Sequence, residues 1–146
     1  MKYTRATSNM MSIVKRIVSV HHRRLDGAKI AVVCREKAAK THGRTIMATA
    51  SKPPPGLKPL LDDDYSFVIT IAADTWNTLT PAQRKALIDH ELCHCVFKED
   101  KPAMRGHDLE EFGEIVERHG FWRKDEGEEV IQQGLLAIGV KVGTMK

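Results

Sequence analysis

A chain of 146 residues, 42% hydrophobic and 29% charged, has the composition of an ordinary globular protein and suffices for one domain with its own core. No apolar run approaches the ~20 residues of a membrane span. The most apolar N-terminal stretch, MMSIVKRIVSV, is interrupted by Lys15 and Arg16, so neither a transmembrane segment nor a secretory leader is expected.

The net charge of +4 is unevenly spread. Lys2, Arg5, Lys15, Arg16, Arg23 and Arg24 all precede the first acidic residue, Asp26. Such a cluster reads either as a solvated helix face or as a patch that contacts nucleic acid weakly. An organelle transit peptide fits less well, because the same stretch carries a packable apolar stripe. The stripe comprises Met10, Ile13, Val14, Ile17, Val18 and His21 at helical spacing, with Ser8 or Asn9 as N-cap, and predicts a helix over residues 8–24.

Three strands are expected next. AKIAVVCRE (28–36) reads as a buried strand after Gly27, GRTIMATAS (43–51) as a second that the proline run KPPPGLKP stops, and YSFVITIAA (65–73) as a third. LTPAQRKALIDHELCHCVF then announces a helix. Thr80 is the N-cap, Pro81 takes the first helical position and Gln83 completes a capping box. Apolar residues from Ala86 to Phe97 surround it on nearly all sides, which predicts a buried helix ending near Lys98–Lys101, before Pro102. A further helix is expected from Asp108 to Gly120, on the stripe Leu109, Phe112, Ile115 and Val116. Residues 123–146 form an extension without a clear pattern. The fold class is therefore α+β: an N-terminal helix, a small sheet of three or more strands, a buried helix and a following helix.

Within the buried helix lies DHELCHCVF. A four-residue step along a helix turns through about 400°, so His90 and His94 share a face with ~6 Å of rise between them. Both imidazoles can reach one metal ion, while Glu91, about 100° around, lies where a carboxylate can take a proton from a polarised water. This is the zincin signature H-E-x-x-H. With seven histidines in the chain, a chance match has a probability of about 2%. The competing reading is a buried helix whose histidines bond to backbone or carboxylates.

A catalytic zinc site needs a third protein ligand and an open position for water. His107 follows a loop containing Pro102 and Gly106 that can bring the chain back over the site; Asp108, Glu110, Glu111 and Glu114 are rivals. Arg105, His119 and Tyr65 are candidates for stabilising an oxyanion, and Asp108 or Glu110 for orienting a ligand imidazole. Substrate would lie as an added strand along residues 44–51 or 65–72. Cys93 and Cys95, two apart on the expected helix, point to different sides and cannot readily bridge, so they read as small core residues in a reducing, cytoplasmic setting.

ALIDHELCHC followed by GHDLEEF resembles the phage metallopeptidases and, more distantly, the SprT-like and WLM zinc proteases. The likeness spans about residues 10–122 and is strongest over 64–113, where DYSFVITIAADTWNTLTPAQRKALIDHELCH runs in the family's order. It implies a single zincin-like domain over 1–146, with Zn2+ held by His90, His94 and His107, Glu91 as general base and Phe112 as a packing aromatic. It also implies a protein or peptide substrate and, for a phage-encoded enzyme, the host cytoplasm. The separate zinc-ribbon or DNA-binding extension of some SprT-like proteins is absent from this sequence. Two other readings remain: a non-catalytic module in which zinc braces the fold for binding nucleic acid or protein, and a zinc hydrolase acting on a non-peptide bond.

Overall fold

The computed structural model describes residues 3–41, 43–106, 115, 118 and 119. Two parallel strands form its centre. β2 (Ile30–Arg35) and β6 (Phe67–Ala72) pair in register from Ile30↔Phe67 to Arg35↔Ala72. β1 (Tyr3–Arg5) runs antiparallel on the outer side of β2, and β5 (Ala48–Ser51) antiparallel on the outer side of β6. The sheet order is thus β1-β2-β6-β5. The strand expected over 43–51 is broken into β4 (Arg44–Ile46) and β5: β4 pairs in a separate hairpin with β3 (Ala39–Thr41), which was not expected, and β5 alone joins the sheet.

The period of two sorts the side chains onto two faces. Val32, Cys34, Phe67, Ile69 and Ile71 meet α1 (Ser8–His21) and α3 (Pro81–Cys93) through Met10, Val14, Ile17, Ala86, Leu87, Ile88 and Leu92. Ala31, Val33 and Val68 point to the other face, where Leu57 from the 3₁₀ segment Pro55–Leu60 covers them. Both faces are covered, which is why the central strands read as nearly continuous apolar runs. The short α2 (Ala73–Trp76) follows β6, and Arg84 of α3 stacks over the Trp76 ring at 5.1 Å.

α1 starts at Ser8 as expected, but Thr7, not Ser8 or Asn9, is the N-cap, and its hydroxyl accepts from Met10 N–H at 3.3 Å. Its far end departs more. His21 is exposed, and His22 is the fully buried histidine, turned inward as the helix gives way to the 3₁₀ turn Arg23–Leu25. The capping box of α3 forms as expected: Gln83 N–H donates to Thr80 Oγ1 at 3.2 Å and Thr80 N–H to Gln83 Oε1 at 3.0 Å.

α3 stops at Cys93, well short of Lys98. The chain turns into a hairpin of β7 (Cys95–Lys98) and β8 (Lys101–Met104), with Pro102 in a strand opposite Phe97. A short apolar run cannot by itself distinguish helix from strand, and here the hairpin wins. Its two-residue turn places Glu99 and Asp100 at φ 51° and 64°. Side chains are strained in this left-handed region, whereas Asn-Gly suits a two-residue hairpin turn. The double replacement Glu99→Asn, Asp100→Gly is expected to stabilise the protein by about 1 kcal/mol, measured by chemical denaturation.

The helix expected over 108–120 lies largely outside the described residues, as does the 123–146 extension. Ile115, Arg118 and His119 are helical, and Ile115 is fully buried in the core beneath α1 and α3. Among the described residues no helix is long and apolar enough to cross a membrane.

Candidate metal centre

The last turns of α3 are buried without a break from Ala86 to Cys93, and this run includes three polar residues, Asp89, His90 and Glu91. Burying three such groups is costly unless each is bonded or ligating. His94, the C-cap, is half-buried and opens the group to solvent on one side.

His90, Glu91 and His94 come together. Each offers one ligand atom, and these atoms lie within 4.8 Å of one another. The two rings are 5.3 Å apart between centroids and inclined at 72°, and His90 Nε2 is 3.9 Å from Glu91 Oε2. The tautomer of His94 follows from its neighbour. Its Nδ1 lies 2.6 Å from the carbonyl of Arg105, which can only accept, so Nδ1 carries the proton and Nε2 of the neutral ring keeps the lone pair a metal needs. Arg105 N–H donates in turn to the His94 carbonyl at 2.8 Å. The unforeseen hairpin thus orients the His94 imidazole, the task for which Asp108 or Glu110 was expected. Two imidazoles beside a carboxylate form a donor set suited to a divalent transition metal.

A second group, His22, Asp89 and Cys93, also brings its potential ligand atoms within 4.8 Å. Its surroundings oppose a cation. Asp89 Oδ1 accepts from His22 Nε2 and from Arg118 Nη1, both at 2.6 Å, and Oδ2 accepts from His119 Nε2 at 2.8 Å. Arg24 Nη1 donates to His22 Nδ1 at 2.7 Å, so both ring nitrogens of His22 are occupied. Two guanidinium groups at such range repel a dication, and the cluster is a buried polar network instead. Burial works against the charged form of Asp89, yet hydrogen bonds from His119 and His22 and the charge of Arg118 prevail and hold its carboxyl well below the usual carboxylate range.

The network settles other expectations. His119 is committed to Asp89, and the Tyr65 hydroxyl donates to Asp62 at 2.8 Å, so neither suits the oxyanion role. Arg105 meets His94 through its backbone groups, which leaves its side chain a candidate for that role. In the basic N-terminal cluster, Arg5 pairs with Asp62 at 2.7 Å and Arg24 is bonded to His22 and to the Leu92 and Cys95 carbonyls, which weakens the nucleic-acid patch. Cys93 and Cys95 are fully buried and, like Cys34, form no disulfide, as expected of core residues, although Cys95 sits on β7 and not on the helix. Burial, aided by the Glu91 charge, pushes the Cys95 thiol up to about 12, and it donates to the Glu91 carbonyl at 3.7 Å. Neither Cys93 nor Cys95 is among the potential ligand atoms gathered with those of His90, Glu91 and His94. Residue 65–72 pairing along a substrate is also corrected, because β6 is bonded on both sides, leaving β5 from the pair of expected edges. His107, Asp108, Glu110, Glu111, Phe112 and Glu114 lie outside the described residues.

His22, Arg24, Asp89 and Arg118 escaped the sequence reading. The available signal was Asp89 itself, a carboxylate in the middle of a helix apolar on nearly all sides, which has to find partners.

An α+β architecture with two imidazoles and a carboxylate gathered at the end of a buried helix defines a candidate metalloprotein. The chain belongs to the family described as "putative phage metallopeptidase", whose match covers residues 1–135 and so extends past both ends of the 10–122 likeness. Membership implies a metal-dependent peptidase acting on protein or peptide. No curated protein and no solved structure matches the chain.

Proposed function

We propose that the chain is a zinc-dependent peptidase, a single zincin-like domain over residues 1–146 in which His90, His94 and His107 hold the ion and Glu91 is the general base. The observation that carries this reading is the gathering of His90, Glu91 and His94 within 4.8 Å, in a member of a metallopeptidase family. Zinc, when bound, supplies a Lewis acid and makes water acidic enough to be deprotonated near neutral pH.

The chain's own residues do the rest. Glu91, only 4% exposed, accepts the proton from the attacking water at its carboxylate and later returns it to the leaving amine. The burial of His90 and Glu91 excludes bulk water and strengthens the carboxylate's interaction with the developing charge. The Arg105 carbonyl keeps the His94 ring in its ligating tautomer. β5 is an edge strand whose Ala48 and Ala50 pack on the core beside α3, and its outer backbone groups offer a substrate an added antiparallel pairing. Three buried cysteines outside any disulfide accord with action in a reducing cytoplasm, that of the host for a phage enzyme.

The test is metal analysis of the purified protein combined with a casein digest. About one zinc per chain and cleavage that a chelator stops are expected, with His107→Ala losing both. Cleavage unaffected by chelation, or a protein without metal, would count against the proposal. Cleavage of simple esters or amides but of no peptide would favour the non-peptide hydrolase.

A further inference from the structure

The 3₁₀ turn Arg23–Leu25 delivers Arg24 to the C-terminal end of α3. Its Nη2 donates to two carbonyls, Leu92 at 3.0 Å and Cys95 at 3.2 Å. These belong to residues on either side of His94. Its Nη1 donates to His22 Nδ1 at 2.7 Å, which leaves the His22 proton on Nε2, aimed at Asp89 Oδ1 2.6 Å away. Asp89 immediately precedes His90. A continuous line of hydrogen bonds therefore runs from the backbone flanking one ligand histidine to the residue beside the other, by way of Arg24 and His22, which lie outside α3.

The chemistry favours arginine for this task. Carbonyls at the end of a helix carry partial negative charge and lack intrahelical donors, so a cation there is stabilising. The planar guanidinium presents donors in a fixed fork and reaches three acceptors at once, which a lysine ammonium on a flexible stem does not reproduce. The fork also spans the junction where helix changes to strand, bonding Leu92 of α3 and Cys95 of β7 together.

We propose that Arg24 is a positioning residue for the metal centre: by tying the carbonyls flanking His94 to His22 and thence to Asp89, it sets the separation and tilt of the His90 and His94 imidazoles. It contacts neither metal nor substrate. The inference rests on the reading that these two histidines are ligands.

Arg24→Lys is compared with the parent. Zinc affinity is read by competition with a chromophoric chelator, ligand geometry by the visible absorption of the cobalt-substituted protein, and folding by circular dichroism and melting of the metal-free form. The Lys variant is expected to melt close to the parent while binding zinc about 10- to 100-fold more weakly, with an altered cobalt spectrum. Its kcat should fall with KM little changed. Zinc affinity within about twofold of the parent and an unchanged cobalt spectrum would overturn the inference, as would a Lys variant that fails to fold, since Arg24 would then be a folding residue. A parent that binds no metal through His90 and His94 defeats the ligand assignment instead, and the two failures are told apart by the parent's own spectrum.

Discussion

Replacing Glu91 by Gln is expected to cut peptide hydrolysis by about 10²- to 10⁴-fold while the protein keeps its zinc and its melting temperature. Gln preserves the volume of a side chain that is almost wholly buried, so packing around the last turns of α3 should be undisturbed. What it removes is the basic oxygen. The measurement also separates two roles that geometry leaves close together, because the Glu91 carboxylate lies near enough to both imidazoles to be a ligand. If it is a ligand, Gln weakens metal binding; if it is a base, zinc content holds and only kcat falls. His90→Ala is the contrast, losing metal and activity together. A Glu91→Gln enzyme that cleaves as fast as its parent would remove the base from the mechanism.

The motif was legible because its information is local. Two histidines four apart share a face wherever the helical backbone reaches the second, and α3 does so with His94 as its C-cap in the helical region. Likewise the apolar runs at Ile30–Arg35 and Phe67–Ala72 announced strands, and the structure makes them the parallel centre of the sheet. What periodicity did not carry was the end of α3. Cys95, Val96 and Phe97 suit a helix and a strand alike, and the choice was made by a turn at Glu99 and Asp100 whose residues give little hairpin signal. The cost of that error fell on the site, since the Arg105 carbonyl that orients His94 is available only because the chain folds back there. The network around Asp89 was hidden for another reason. His22 is 67 positions away and Arg118 is 29, and such pairings are fixed by how α1, α3 and the helical residues at 118–119 pack, which no local pattern encodes.

That network should be the most sensitive point for stability. Asp89→Asn keeps the shape but withdraws the charge and puts an NH2 group in place of one carboxylate oxygen, so a single oxygen is left to accept from His22, Arg118 and His119 and at least one of these donors loses its acceptor. Breaking a buried ion pair from one side typically costs about 3–5 kcal/mol, equivalent here to a melting point lower by about 10 °C. Asp63→Asn is the control: its carboxylate pairs with Lys29 at 2.8 Å, but both side chains are about half exposed, so the midpoint should hardly move. The pH dependence has a fixed sign. Because the folded-state pKa of Asp89 is depressed, its contribution is fully present above the unfolded carboxylate value of about 3.9 and is lost as pH falls below that value toward the folded one. The parent should therefore hold its stability from neutrality to about pH 5 and decline in stronger acid, and Asp89→Asn should be less stable at neutrality with a shallower acid limb. An Asn variant that melts with the Asp63 control and shares the parent's acid limb would show that the buried carboxylate does not anchor α1 and the 118–119 segment to α3.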